Sequence, residues 1–144
     1  MNLLGNGLFN AKHYEDALSV KEAELSTLRR LGDSARNILA VQGNLANSYQ
    51  VGGRLEDALR INRDVYSGSL KLNGEEYADT LQAAFNCATV LFQLKRFEEI
   101  KALMLRTIPV ARRTFGESHD LTLSMRSFHA QVQVADPGAT LDDL

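Results

Sequence analysis

Apolar side chains recur every three to four residues along most of the chain, the spacing that places them on one face of an α-helix. Seven segments show this pattern, at about residues 2–11, 14–31, 35–51, 55–72, 76–94, 97–114 and 120–134. No segment shows the alternation of apolar and polar residues that is typical of a half-buried strand. The pattern predicts an all-α protein whose seven helices form antiparallel hairpins stacked side by side.

Glycines mark the ends of several predicted helices. Gly32 is suited to the left-handed conformation that closes a helix, and Ser34 is a favourable N-cap for the next one. Gly52-Gly53 ends the third helix, and Asn73-Gly74 is a strong turn signal after the fourth. We expect a loop at each of these three places.

The other predicted interruptions have different chemistry. Ala11-Lys12-His13 is expected to form the turn between the first two helices. Pro109 lies inside the sixth helix, where its missing N–H is expected to kink the helix. Asp136-Pro137-Gly138 ends the seventh helix. The segment after it, with Thr140 as a cap, is a tail or the start of a helix that the chain does not finish.

The chain also repeats itself. Tyr14-Glu15-Asp16-Ala17-Leu18 is followed 41 residues later by Leu55-Glu56-Asp57-Ala58-Leu59, and 42 residues after that by Phe97-Glu98-Glu99-Ile100-Lys101. A fixed period of this size indicates an array of repeats rather than one irregular globule. We assign one solenoid to residues 1–134, with repeats at about 1–39, 40–81 and 82–123 and a final helix at 120–134. Residues 135–144 are the tail or unfinished helix.

Alignment of the repeats shows three positions at which side-chain size is maintained. Small side chains let the two helices of a hairpin approach closely, and they occupy one position at Gly5, Ala46, Ala88 and Ala130. A second position, on the partner helix, holds Ala17, Ala58 and Ile100. A third, at the bend, holds the large residues Tyr14, Leu55 and Phe97.

These positions resemble tetratricopeptide (TPR) repeats over about residues 3–134. The resemblance lies in Leu4-Gly5-Asn6 and Leu45-Ala46-Asn47, each followed by its copy of the segment that begins at Tyr14 or Leu55. The 42-residue period and the loop Phe115–Leu123 are similar to the longer repeats of kinesin light chains. The resemblance implies a right-handed α-α superhelix of about three helical hairpins plus a terminal helix.

TPR proteins commonly bind an extended peptide or a helix in a concave groove lined by the first helix of each hairpin. By the resemblance, the groove residues are Asn6, Phe9, Asn10, Asn47, Gln50, Phe85, Thr89, Phe92, Gln93 and Gln131, with Asn44 and Asn86 as secondary contacts. Asparagine is an indifferent helix former, so its recurrence in mid-helix favours a role in binding, and its amide can both donate and accept. Solvated or interhelical amides, and core packing of the phenylalanines, are the alternatives.

The charge balance argues against two classes of partner. The chain has 16 Lys and Arg against 18 Asp and Glu, without the basic excess that nucleic acids or anionic membranes require. No apolar run approaches the ~20 residues of a membrane span, and the first residues do not resemble a secretory signal. The single cysteine, Cys87, excludes an internal disulfide and aligns with Leu45, so we expect a buried, inert thiol in a cytoplasmic protein.

The sequence shows no catalytic or metal-binding pattern. Its three histidines, at 13, 119 and 129, do not form a metal-ligand motif or a triad, and no glycine-rich phosphate loop is present. We therefore expect no cofactor, no metal and no enzymatic activity.

Two functions fit this sequence. The first is a non-catalytic module that binds a peptide or helix of a partner protein in the groove, and the recurring asparagines favour it. The alternative is a structural assembly piece that self-associates or stacks through exposed solenoid ends, or that belongs to a larger assembly.

Overall fold

The structure, a computed structural model, describes the backbone of residues 3–138 and the side chains of residues 13–138. All of the regular secondary structure over these residues is helical, which confirms the predicted all-α class. The six helices are α1 (Leu3–Arg30), α2 (Ala35–Val51), α3 (Leu55–Asn73), α4 (Ala78–Gln93), α5 (Phe97–Phe115) and α6 (Asp120–Ala135). The last five agree with the predicted segments to within about two residues.

The predicted break in the first hairpin is wrong. Ala11-Lys12-His13 was expected to form a turn, but it lies inside α1, which runs without interruption for 28 residues. Alanine and lysine are strong helix formers, and this stretch has neither a glycine nor a proline to end a helix. Between residues 3 and 138 the chain therefore forms six helices rather than seven, and the first repeat has no hairpin of its own.

The glycine-based predictions are confirmed. Gly32, Gly74 and Gly116, 42 residues apart, all have positive φ angles, of 69°, 85° and 91°. Such angles strain any residue with a Cβ atom. Ser34 caps α2, because its hydroxyl accepts a hydrogen bond of 3.2 Å from the Asn37 N–H. Each of these inter-repeat loops therefore begins with a residue that can leave the helix without strain.

The C-terminal predictions have mixed outcomes. α5 continues through Pro109 to Phe115, and the kink stays a prediction. α6 ends at Ala135, as the Asp136-Pro137-Gly138 sequence predicts, and the Asp136 N–H bonds the Val132 carbonyl. The predicted start of a helix at Thr140 lies outside the described residues.

Two compact units divide the chain within α3, between Ile61 and Asn62. In the first unit α1 packs against α2, with Leu18, Leu25, Leu45 and Tyr49 buried. The Tyr49 hydroxyl donates to Glu22, and the Arg54 guanidinium lies 4.5 Å from the Tyr49 ring centroid. A Cβ atom at Gly52 would come 1.9 Å from Tyr14 Cζ, so a larger residue there would displace the Tyr14 ring.

In the second unit α5 packs against both α4 and α6. The core contains aliphatic and sulfur-containing side chains from all three helices, including Leu81, Val90, Ile100, Met104, Met125 and Val132. The end of α3 joins α4 through a buried pair of hydroxyls, Ser69 and Thr80, whose oxygens are 2.8 Å apart. Arg63 of α3 also pairs with Glu99 of α5, at 3.1 Å.

The small-residue positions are buried only where both helices of a hairpin are present. Ala46, Ala88, Ala58 and Ile100 are all completely buried. Their counterparts at the two ends, Ala17 on α1 and Ala130 on α6, are exposed. Ala17 was expected to be buried in a first hairpin, but α1 does not fold back, so no helix of that hairpin covers it.

The contrast between Ala17 and Ala58 generates a matched pair of mutations. Ala58→Leu should cost roughly 1–3 kcal/mol of the free energy of unfolding, because the larger side chain overpacks a fully buried position. Ala17→Leu, at the equivalent repeat position, should change it by less than about 0.5 kcal/mol because this residue is exposed. Urea denaturation measures both, and equal effects would show that the repeat alignment is misplaced.

The turn between α4 and α5 generates a second prediction. Lys95 has a φ of 59°, whereas its counterpart 42 residues earlier is Gly53, with a φ of 81°. Lys95→Gly should therefore raise the free energy of unfolding by about 0.5–1 kcal/mol, because it relieves left-handed strain. Gly53→Lys should lower it by a similar amount. Thermal denaturation measures both changes. If glycine is no more stabilising than lysine at either position, the left-handed conformation assigned to these residues is contradicted.

Candidate functional site

Charged residues are unevenly distributed between the helices. α3 and α5 each carry six Lys, Arg, Asp and Glu residues. α2 and α4 each carry one, Arg36 and Asp79, and α6 carries two, Asp120 and Arg126. The helices that the sequence assigns to the groove are therefore almost neutral, and the polar residues on them are amides and hydroxyls.

One face of α4 carries a continuous row of uncharged polar side chains, Gln82, Asn86, Thr89 and Gln93, which we call the α4 polar stripe. Their spacing of four, three and four residues places them on one side of the helix. The Gln82 amide donates to Asn86 Oδ1 at 3.0 Å, and the Thr89 hydroxyl donates to the Asn86 carbonyl at 2.9 Å. Gln82 and Gln93, at the two ends, are exposed.

Aromatic rings flank this stripe. Phe85 and Phe92 of α4 both contact Phe128 of α6 edge to face, with ring centroids 5.4 and 5.6 Å apart. Phe92 also contacts Phe97 at 6.0 Å. All four rings are half-buried. Phe85 and Phe92, predicted as groove residues, thus help to join α4 to α6 and still present part of their surface.

The remaining predicted groove residues are distributed over three helices. On α2, Asn44 and Asn47 are exposed and Gln50 is half-buried. On α6, Gln131 is exposed. Asn6, Phe9 and Asn10 belong to α1, and their side chains lie outside the described residues. Within the second unit the structure therefore brings together Phe85, Asn86, Thr89, Phe92 and Gln93.

Two residues that contact this group, Gln82 and Phe128, were not among the predicted site residues. Gln82 precedes Asn86 by one helical turn, so its spacing could have identified it as part of the same face. Phe128 lies on the last predicted helix, at about residues 120–134. No sequence signal marks its ring as the contact shared by Phe85 and Phe92, because that contact arises from the packing of α6 beside α4.

His119 and Cys87 have structural roles. His119 is the N-cap of α6, where its Nδ1 accepts a hydrogen bond of 3.2 Å from the Leu121 N–H, and its ring lies on Phe115. Cys87 is buried, as predicted, and burial raises the pKa of its thiol to about 12. At that pKa the reactive thiolate is almost absent at neutral pH.

Three titratable side chains meet where α5 approaches the end of α6. The Lys101 ammonium pairs with Asp136 Oδ2 at 2.6 Å, and both side chains are mostly buried. This bond, together with the Gly138 N–H, lowers the pKa of Asp136. Burial, with a contribution from the nearby Lys101 charge, lowers the pKa of His129. Lys101 occupies the repeat position that holds the buried residues Leu18 and Leu59 in the other two copies. In this repeat an ion pair therefore takes the place of a buried leucine.

The part of the chain that the structure describes has neither a cluster of metal ligands nor a membrane-spanning helix. Among the side chains of residues 13–138, no three His, Cys, Asp or Glu residues come close enough together to hold a metal ion. Over the same range no helix combines the length and the apolar character needed to cross a membrane.

Comparison with protein families supports the predicted resemblance. Residues 80–120 match the tetratricopeptide repeat family, in a type that is similar to the repeats of kinesin light chains. The match covers most of α4, all of α5 and the loop to α6, and it confirms the resemblance for that part of the chain. The comparison with curated proteins gave no match.

The fold is also found in a solved structure. The crystal structure of BtubC (BKLC) from P. vanneervenii matches with a TM-score of 0.69 and 16% sequence identity. The match covers 94% of this chain and 60% of that one, so this chain spans about three fifths of the length of BtubC. At this identity the likeness concerns the fold alone, which is that of a TPR-like solenoid.

The Lys101–Asp136 pair predicts a pH-dependent stability. The pKa of Asp136 is lowered in the folded state. The ion pair therefore contributes its full stabilisation above the unfolded pKa of about 4, and this stabilisation is lost as the pH falls through the folded pKa. Asp136→Asn should therefore be less stable than the wild type at pH 7, and the difference should shrink as the pH falls through the folded pKa of Asp136. Urea denaturation at pH 7, 5 and 3 tests this.

Lys101→Leu is the control for this prediction, since it removes the partner and restores the residue of the other repeats. In that background Asp136→Asn should have little effect at any pH. A destabilisation that persists unchanged at pH 3 would contradict the pair as its cause.

Proposed function

We propose that this chain, with its TPR-like fold and a tetratricopeptide repeat at residues 80–120, is a non-catalytic module for protein–protein interaction in the cytoplasm. Its ligand is an extended, uncharged peptide segment of a partner protein. The observation that carries the proposal is the α4 polar stripe, a row of uncharged donors and acceptors on a helix with a single charged residue. Tetratricopeptide repeats generally mediate such interactions rather than catalysis.

The chemistry of the stripe favours the backbone of a peptide as its target. Amide side chains at Gln82 and Gln93 can both donate to a carbonyl and accept from an N–H, the two groups that every peptide unit offers. The half-buried rings of Phe85 and Phe92 beside the stripe can contact an apolar side chain of the same ligand. On α2, the exposed Asn47 offers the same amide chemistry in the first unit.

The shortage of charge narrows the class of ligand. Grooves that hold a terminal carboxylate use Lys or Arg, and neither residue type occurs on α4. Binding should therefore depend little on ionic strength, because salt screens interactions between charges far more than hydrogen bonds between neutral groups. The same argument disfavours nucleic acid as the ligand of this face.

Selection of peptides from a random display library, with this chain as the target, tests the proposal. For a selected peptide, Gln82→Ala and Gln93→Ala should each raise Kd about fivefold, which corresponds to about 1 kcal/mol for one lost hydrogen bond. Both residues are exposed, so the melting temperature should change little. Fluorescence anisotropy in low and high salt should give the same Kd within about twofold.

Arg106→Ala is the matched control, because Arg106 is exposed on the charged helix α5. It should leave the Kd unchanged. Selected peptides that bind all three variants like the wild type would show that the ligand lies elsewhere. Failure to select any peptide would reject this function.

A further inference from the structure

The contact between α5 and α6 has ionisable side chains where the equivalent contact between α1 and α2 is apolar. By repeat position, α5 corresponds to α1 and α6 corresponds to α2. Leu18 of α1 and Leu45 of α2 are both buried. Their counterparts two repeats later are Lys101 and His129. Two buried leucines of the first unit are therefore replaced, in the second, by two side chains that can each carry a positive charge.

One well-shielded carboxylate lies in this cluster. Asp136, directly after α6, pairs with the Lys101 ammonium at 2.6 Å, and the two side chains are only 8% and 17% exposed. Glu98 also lies near Lys101, at 3.5 Å, but its side chain is 87% exposed and its charge is screened by water. As long as His129 is neutral, one shielded cation is therefore matched by one shielded anion.

The other charged groups on the helices around His129 are engaged elsewhere or distant along the helix. On α6, Arg126 is one turn before His129 and pairs with Glu117 at 2.6 Å. On α4 the single charged residue is Asp79, which by repeat position lies two turns before the level of His129. Among the described side chains, the charge that acts on His129 is that of Lys101. A proton on His129 would therefore place a second cation beside Lys101.

Histidine is the side chain whose charge ordinarily changes between pH 5 and 8. Burial, with a contribution from the Lys101 charge, lowers the pKa of His129, so the folded protein takes up this proton less readily than the unfolded chain. Stability is therefore lost as the pH falls from the unfolded pKa of about 6.5 through the lower folded pKa. The Asp136 pair is lost only below about pH 4, so the two effects occupy separate pH ranges.

We propose that the α5–α6 contact is a pH-sensitive joint, in which a proton on His129 beside Lys101 weakens the docking of α6 on α5 in mild acid. The change is local to this contact, because the equivalent positions of α1 and α2 hold leucines. Its effect reaches the α4 polar stripe, since Phe128, the neighbour of His129 in the chain, contacts Phe85 and Phe92. The joint itself is independent of the proposed peptide binding, because it concerns the stability of α6 without a ligand.

Native-state hydrogen exchange at pH 7.5 and 5.5 tests the proposal, with rates corrected for intrinsic exchange at each pH. The protection factors of the α6 amides should fall at least about threefold at pH 5.5, and those of α2 should change less. His129→Leu, which introduces the residue found at this position of α2, should remove the pH dependence. In Lys101→Leu the pH dependence should shrink, because the cation beside His129 is gone.

His119→Asn is the matched control, because His119 is the other histidine of this region and caps α6. Asparagine is a good N-cap without a titratable group, so this variant should keep the pH dependence of the wild type. Loss of the pH dependence in His119→Asn but not in His129→Leu would overturn the proposal. Equal protection of α6 in the wild type at the two pH values would also overturn it.

An NMR titration of the wild type keeps the proposal testable if a variant does not fold. The His129 ring protons should titrate with a midpoint below about 6.5, the value of an unfolded histidine. A midpoint at or above that value would contradict the joint. Peptide binding measured at pH 7.5 tests the proposed function separately, since α6 is docked at that pH whether or not the joint responds to acid.

Discussion

The close approach of helices at one small residue per repeat is the constraint on which this fold depends. Ala46 and Ala88, at the same position of successive repeats, have no exposed surface, and neither do Ala58 and Ile100 on the helices that follow them. At the position of Ala46 and Ala88, a side chain with two or three more carbon atoms would force the helices apart or distort their rotamers. The second position holds either Ala58 or the larger Ile100, so its size limit differs between repeats. The repeat period follows from this constraint, because each hairpin must return the chain to an equivalent contact.

The fold also requires a left-handed residue in the turn between the two helices of a hairpin, and different residue types supply it. Between α2 and α3 the left-handed residue is Gly53, whereas between α4 and α5 it is Lys95. A lysine adopts this conformation at a cost, which the packing of α4 against α5 offsets. At Lys12, the counterpart in the first copy, no such turn forms and the helix continues. The same repeat position therefore has a left-handed backbone in two copies and a helical backbone in the first, depending on how the neighbouring helices pack.

Charge separates the two kinds of helix. α3 and α5 carry six ionic groups each, against one each on α2 and α4. Ion pairs of α3 and α5, such as Arg63 with Glu99, lie at exposed sites where each contributes little to stability. α2 and α4 are almost neutral, and their exposed faces offer hydrogen-bonding groups without strong electrostatic selection. The Lys101–Asp136 pair differs from the surface pairs because both side chains are largely shielded from water where α6 ends.

The sequence by itself determined the helical class, the 42-residue period, the positions of five helices and the burial of Cys87. Helical spacing, glycine and small residues are local signals that act through the backbone and through side-chain size. Only the tertiary structure decided that Ala11-Lys12-His13 remains helical, because a turn there would require packing to outweigh the helix propensity of these residues. It also decided the exposure of Ala17 and Ala130 and the contact of Phe128 with Phe85 and Phe92, since burial depends on which helices are present as neighbours and not on the residue itself.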